Sequence, residues 1–177
     1  MPARQLKIEN NCAIKYYNIS SDIPIFHSLY DFYKYLDNIN NTLTKLEKLA
    51  IAQNLNEFEI YSSATAEERQ LIAPILNSYY RNNILMLEMP IFIPLLDDKE
   101  IWNISENQNQ LELFHCFCKY SLKHEYKDFI RKTHIFCEKY DLCEDDIFQN
   151  LNNLGYNKNY GIRIIDYGLT EEMAQKF

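Results

Sequence analysis

Leu154-Gly155-Tyr156-Asn157-Lys158-Asn159-Tyr160-Gly161-Ile162-Arg163-Ile164-Ile165-Asp166-Tyr167-Gly168 holds all three glycines of the chain. Average usage is about 7% glycine, so a sequence this poor in it keeps the residue only where backbone geometry or close approach demands it. The stretch predicts a hairpin. Gly155 ends one strand, Asn157 to Gly161 turn, and Ile162 to Ile165 form a buried strand. Asp166 then leaves the strand end just before a glycine that can turn sharply, as a metal-binding aspartate does; a plain hairpin closed by an Asp-x-Gly turn is the other reading. An acidic side chain directly after an apolar strand is capped, metal-bound or turned outward.

Working outward, 177 residues with 47% hydrophobic content suit one domain, or one domain with an appendage, around a single core. The net charge of −7 argues against nonspecific binding to nucleic acid, which needs clustered Lys and Arg. Nucleotide binding stays open, because a bound metal supplies positive charge. No apolar run is long enough for a membrane helix, and Met1-Pro2-Ala3-Arg4-Gln5 lacks the apolar stretch of a signal peptide. A soluble, cytoplasmic protein with no membrane partner is expected, or a virion component if phage-encoded. Abundant Asn, Ile, Lys and Tyr point to an AT-rich genome, such as that of a phage, a parasite or a low-GC bacterium. Five cysteines at irregular spacing fit reduced thiols. Cys116 and Cys118, with His115 beside them, are too close-spaced for a zinc knuckle and read as small core residues on a helix. His27, His115, His124 and His134 lie on predicted helices without a nucleophile motif and read as structural; Trp102 reads as a core or interface anchor.

Periodicity gives the elements. Cys12 to Tyr17 is a short apolar strand; Phe26 to Leu36 and Leu43 to Ile51 repeat at helical spacing. Glu57 to Tyr61 fits the end of a strand or the start of a helix. Thr65-Ala66-Glu67-Glu68 has the form of a capping box opening an amphipathic helix through Leu71, Ile72, Ile75 and Tyr79, stopped at Asn82-Asn83. Ile84 to Met89 is a buried strand ending at Pro90. Ser105 to Gln108 opens a further helix through Leu111, Phe114, Cys118 and Leu122, and the pattern resumes through Phe129, Ile130, Phe136 and Tyr140. The predicted fold class is α+β: a small antiparallel sheet with packed helices, a long helix and a C-terminal hairpin. Cys12 to Tyr17 and Ile84 to Met89 should share the sheet, with the Thr65 to Tyr80 helix packed on it. If those two strands did not pair, an all-helical interaction protein with a terminal hairpin would follow.

In this order the motifs resemble a small, pared-down protein-kinase-like domain. Cys12-Ala13-Ile14-Lys15 resembles the Val-Ala-Ile-Lys strand whose lysine meets nucleotide phosphates. Asn56 to Tyr61, preceding a helix end at Ala73-Pro74-Ile75-Leu76, resembles the region supplying its glutamate partner, and Ile84 to Pro90, with Glu88, the strand entering the hinge. The long helix ending at Tyr140-Asp141-Leu142 leads to a loop, Asp145 to Gly155, that resembles the catalytic one, and Asp166-Tyr167-Gly168 resembles the magnesium segment. The resemblance implies an N-lobe-like part over about 1–95 and a truncated C-lobe-like part over about 105–177. It places Lys15 on the phosphates, Glu57 or Glu59 on Lys15, Glu88 at the nucleotide, Asp166 with Asn150 or Asn153 on magnesium, and Asp145 or Asp146 as base.

Departures from the family pattern are equally specific. Asp145 and Asn150 have the five-residue spacing of the family, whereas Asn153 sits more naturally before the hairpin but has Phe148 five residues earlier; both alignments hold only with an insertion. Cys143-Glu144 replaces the usual His-Arg. No glycine precedes Lys15, and no activation segment is expected after Thr170 to Gln175. The expected function is therefore a catalytically inert, pseudokinase-like binding or structural module, such as a phage virion or accessory protein, without a cofactor. Its aromatic-rich surface would meet a protein partner or another copy. The alternative is a minimal phosphotransferase using magnesium and ATP.

Overall fold

The computed structural model describes residues 4–19, 22–38, 42–94, 124–149 and 153–177. Asn150, Trp102, His115, Cys116, Cys118 and the helix expected from Ser105 to Leu122 lie outside them. The architecture is α+β, as the sequence predicts. Contacts divide the chain into two compact units, one formed from 1–65, 74–91 and 168–177 and the other from 66–73 and 92–167.

The first unit carries strands β1 (Arg4–Glu9), β2 (Cys12–Tyr17), β3 (Asn77–Arg81) and β4 (Ile84–Pro90), in sheet order β1-β2-β4-β3. Two Asn-Asn turns close its hairpins. Asn10 and Asn11 (φ 51° and 61°) join β1 to β2, and Asn82 and Asn83 (φ 51° and 65°) join β3 to β4. Two consecutive residues at positive φ match the twist of the flanking strands, and asparagine tolerates that conformation better than other residues with a Cβ. The expected pairing of Cys12 to Tyr17 with Ile84 to Met89 is present and antiparallel, with Lys15 opposite Leu87 and Ala13 opposite Met89.

Helix α1 (Leu29–Asn38) precedes α2 (Lys45–Ser63), the helix that packs on this sheet. Thr44 caps α2 reciprocally with Glu47: the Glu47 N–H donates to Thr44 Oγ1 at 3.2 Å, and the Thr44 N–H to Glu47 Oε2 at 2.8 Å. Glu57 to Tyr61 is thereby settled as helix. The core joins Tyr17, Phe32, Ile51, Leu55, Leu85 and Leu87 with Met173 of the short C-terminal helix α5 (Glu171–Lys176). Burial pushes the Tyr17 phenol up to about 12.

The helix predicted over Thr65 to Tyr80 does not form. After one short 3₁₀ turn, Glu68–Gln70, the chain extends, and Asn77 to Arg81 becomes β3. Pro74 is the reason: it lacks the donor a helix needs, its ring would strike the carbonyl four residues back, and it drives Ala73 into extended geometry. Tyr79 and Tyr80 then follow their strand preference.

In the second unit, β5 (Ile93–Pro94), β6 (Leu154–Asn157) and β7 (Gly161–Ile164) form a three-stranded sheet, with Leu154 opposite Ile164 and Asn157 opposite Gly161. The predicted hairpin is present and Gly161 has the positive φ (72°) of its turn. Gly155 lies inside β6 rather than at its end, because a Cβ there would stand 2.8 Å from Phe92 Cβ and 2.9 Å from Ile165 Cγ2. Ile162 and Ile164 are buried as expected. Ile72 bridges Ile164 in parallel, which uses the main chain that the missing helix would have consumed.

Helix α3 (His124–Tyr140) ends on Asp141 at φ 52°, with the Leu142 N–H returning to the Cys137 carbonyl at 2.9 Å. Helix α4 (Glu144–Gln149) follows at once. Among the described residues no helix is long and apolar enough to cross a membrane.

Candidate functional site

Strand alternation turns Lys15 toward α2, where Nζ donates to Glu57 Oε1 at 2.7 Å and Oε2 at 3.0 Å. The pair is deep: side-chain exposure is 8% for Lys15 and 0% for Glu57. Glu59 is not part of it. Two helical residues turn the side chain by about 200°, and Glu59 Oε1 instead accepts the Leu29 N–H at 2.7 Å, at the start of α1. Glu88, opposite Ile14 in the register, lies on the other face of the sheet from Lys15. Its main-chain oxygen accepts the Leu76 N–H at 2.7 Å, and its carboxylate accepts from Asn77 Nδ2 at 3.4 Å.

Arg4 is a member that no motif announces. Its Nη2 also donates to Glu57 Oε2, while Nε donates to Asn54 Oδ1 at 3.1 Å. Asn54, buried, passes the chain on by donating from Nδ2 to the Leu85 carbonyl at 2.9 Å. The only signal that could have found Arg4 is register, since it stands opposite Tyr17 on the Lys15 face of the hairpin.

In the second unit the buried Asn153 donates from Nδ2 to both the main-chain oxygen and Oδ2 of Asp146, each at 2.9 Å. Its carbonyl accepts the Ile165 N–H at 2.7 Å, which extends the hairpin ladder and sets Asn153 across from the residue before Asp166. With the amide nitrogen spent on two oxygens, Oδ1 is the Asn153 atom left to meet a cation. Asp146, half-buried, is thus the acid tied to the hairpin; Asp145, one position earlier in α4, is exposed. Asp146 stands seven residues before Asn153. Phe148 packs instead on His134, ring centroids 4.5 Å apart, and His134 Nδ1 lies 3.1 Å from Glu144 Oε1, a structural place for this histidine.

Asp166 is half-buried; no turn follows it, and the next two residues fix the course of the chain by their contacts. Tyr167 is buried and donates its hydroxyl to the Ala73 carbonyl at 3.1 Å, within the second unit. Gly168 belongs to the first unit, where its carbonyl accepts from Asn56 Nδ2 at 3.1 Å. A Cβ on Gly168 would lie 2.9 Å from the Gln53 carbonyl carbon and closer still to its oxygen. Close approach to a helix backbone, which cannot give as a side chain can, makes this glycine obligatory. Gly168→Ala should cost about 1–3 kcal/mol through overpacking, read as a lower urea midpoint; an unchanged midpoint would refute the contact.

Among the described residues no three or more His, Cys, Asp or Glu side chains gather as a metal cluster. The oxygens of Asn153 and Asp166, an amide and a carboxylate, are the hard donors that suit magnesium, which normally keeps several waters or phosphate oxygens besides. No family model matches the chain and no curated protein matches it.

Proposed function

We propose that the chain is a reduced protein-kinase-like module that binds a magnesium–nucleoside phosphate. The observation that carries this reading is the buried Lys15–Glu57 pair. Burying two charges costs more than an apolar pair of the same volume, so such a pair is poorly explained by stability alone. In the first unit Lys15, held by Glu57 until a ligand arrives, would meet the phosphates; in the second unit Asn153 and Asp166 would offer oxygens to a metal, and Asp146, held by Asn153, would be the base. Magnesium, when bound, supplies neutralisation of phosphate charge. Glu59, Glu88 and Asp145 have no part in this reading.

One observation favours a second reading, an inert binding or structural module meeting a protein partner or another copy. The two-residue Asn10-Asn11 turn is far shorter than a glycine-rich loop that could fold over phosphates. Melting separates the two readings. Mg–ATP at a hundred times its dissociation constant should stabilise the protein by roughly 2.7 kcal/mol, and Asp166→Asn or Lys15→Met should abolish the shift. Melting unchanged by millimolar ATP with magnesium or manganese would establish the inert module.

A further inference from the structure

We infer that Arg4 is a positioning residue for Lys15: it keeps hold of the Glu57 carboxylate so that the lysine can turn from Glu57 to an anionic ligand. This rests on the reading of Lys15 as a phosphate contact. Glu57 has no solvent exposure, and it receives Lys15 on one side and Arg4 on the other. With Lys15 as its sole cation, a phosphate drawing Nζ away would strand a buried carboxylate, a cost charged directly against ligand affinity. A second, permanent cation removes that cost.

The permanent role suits arginine rather than lysine. Its planar fork grips two acceptors at once, here Glu57 and Asn54, and Asn54 is itself anchored to the Leu85 main chain. Lys15 is a point charge on a flexible stem, able to swing while the fork stays. Strand geometry puts both cations on one face: Arg4 pairs with Tyr17 and Leu6 with Lys15, so Arg4 and Lys15 are diagonal neighbours in the β1–β2 ladder.

Melting temperatures of a variant series test the inference without ligand. Lys15→Met should lower melting by only a few degrees, because Arg4 still meets Glu57. Lys15→Met with Arg4→Met should lose far more than the two single losses together, or fail to fold. Adding Glu57→Leu to that pair should restore melting to near that of Lys15→Met, since no buried carboxylate remains. Additive losses, or a triple variant that does not recover, would overturn the role given to Arg4. Calorimetric titration with Mg–ATP then reads positioning itself. Arg4→Gln should weaken binding about tenfold, as Glu57 now competes for Lys15, while Arg4→Lys, which keeps the charge but not the fork, should fall between wild type and Arg4→Gln. Equal affinities in wild type and Arg4→Gln would count against it. A wild-type protein that binds no nucleotide would defeat the proposed function, and the melting series would still decide whether Arg4 holds Glu57.

Discussion

Glu57→Ala is expected to destabilise the protein by about 3–5 kcal/mol, the loss typical of breaking a buried ion pair from one side. The carboxylate is fully buried and shared by Lys15 and Arg4, whose side chains are 8% and 12% exposed, so its removal leaves both cations in a place built around a negative charge. Water cannot easily replace it. An exposed pair gives a different scale: Arg131 with Asp128, both well exposed, should change stability little when either is truncated. Urea unfolding of the two variants side by side makes the comparison. If Glu57→Ala cost no more than Asp128→Ala, the ion pair would be a surface contact in energetic terms, and its place at the centre of a site would be lost.

The second large effect is expected at Ile164. The side chain has no exposure, and both main-chain polar groups are held by one neighbouring segment, by N–H donation to the Leu71 carbonyl and by acceptance from the Ala73 N–H, each at 2.8 Å. Ile164→Ala keeps those bonds, so the measured loss reports the deleted methyl groups and the cavity they leave, about 2–5 kcal/mol. Ile135, 56% exposed on α3, is the control and should stay within about 0.5 kcal/mol on the same substitution. Equal, small losses at both positions would mean that β7 is not packed.

What could be read from the sequence follows from how local each signal is. The β2 and β4 strands were legible because each is a short apolar run with a clear boundary, and their partnership followed from the order of motifs. The Glu57-Phe58-Glu59 alternation fits a strand and a helix equally, and only the length of α2, set by its cap at Thr44, puts Glu57 on Lys15 and turns Glu59 to α1. Thr65 to Tyr80 misled because helical spacing and a capping box coincided there, while Pro74 and the Asn82-Asn83 turn carried the stronger, steric information. Asp145 and Asp146 are adjacent acids that spacing alone could not separate; in the structure the bond from Asn153 goes to Asp146. Arg4 was invisible because its partners are 50 and 53 residues away in sequence and are reached through strand register.

Manganese offers the most direct measurement of the central claim, because a paramagnetic ion erases the amide signals around it. In a nitrogen-15 spectrum, Mn–ATP should broaden Asn153, Ile165 and Asp166 first, diamagnetic Mg–ATP should shift Lys15 and Glu57, and Asp166→Asn should abolish the broadening. Broadening scattered over exposed acids such as Glu171 and Glu172, with Asn153, Asp166 and Lys15 unmoved, would contradict nucleotide binding and leave the chain an inert module.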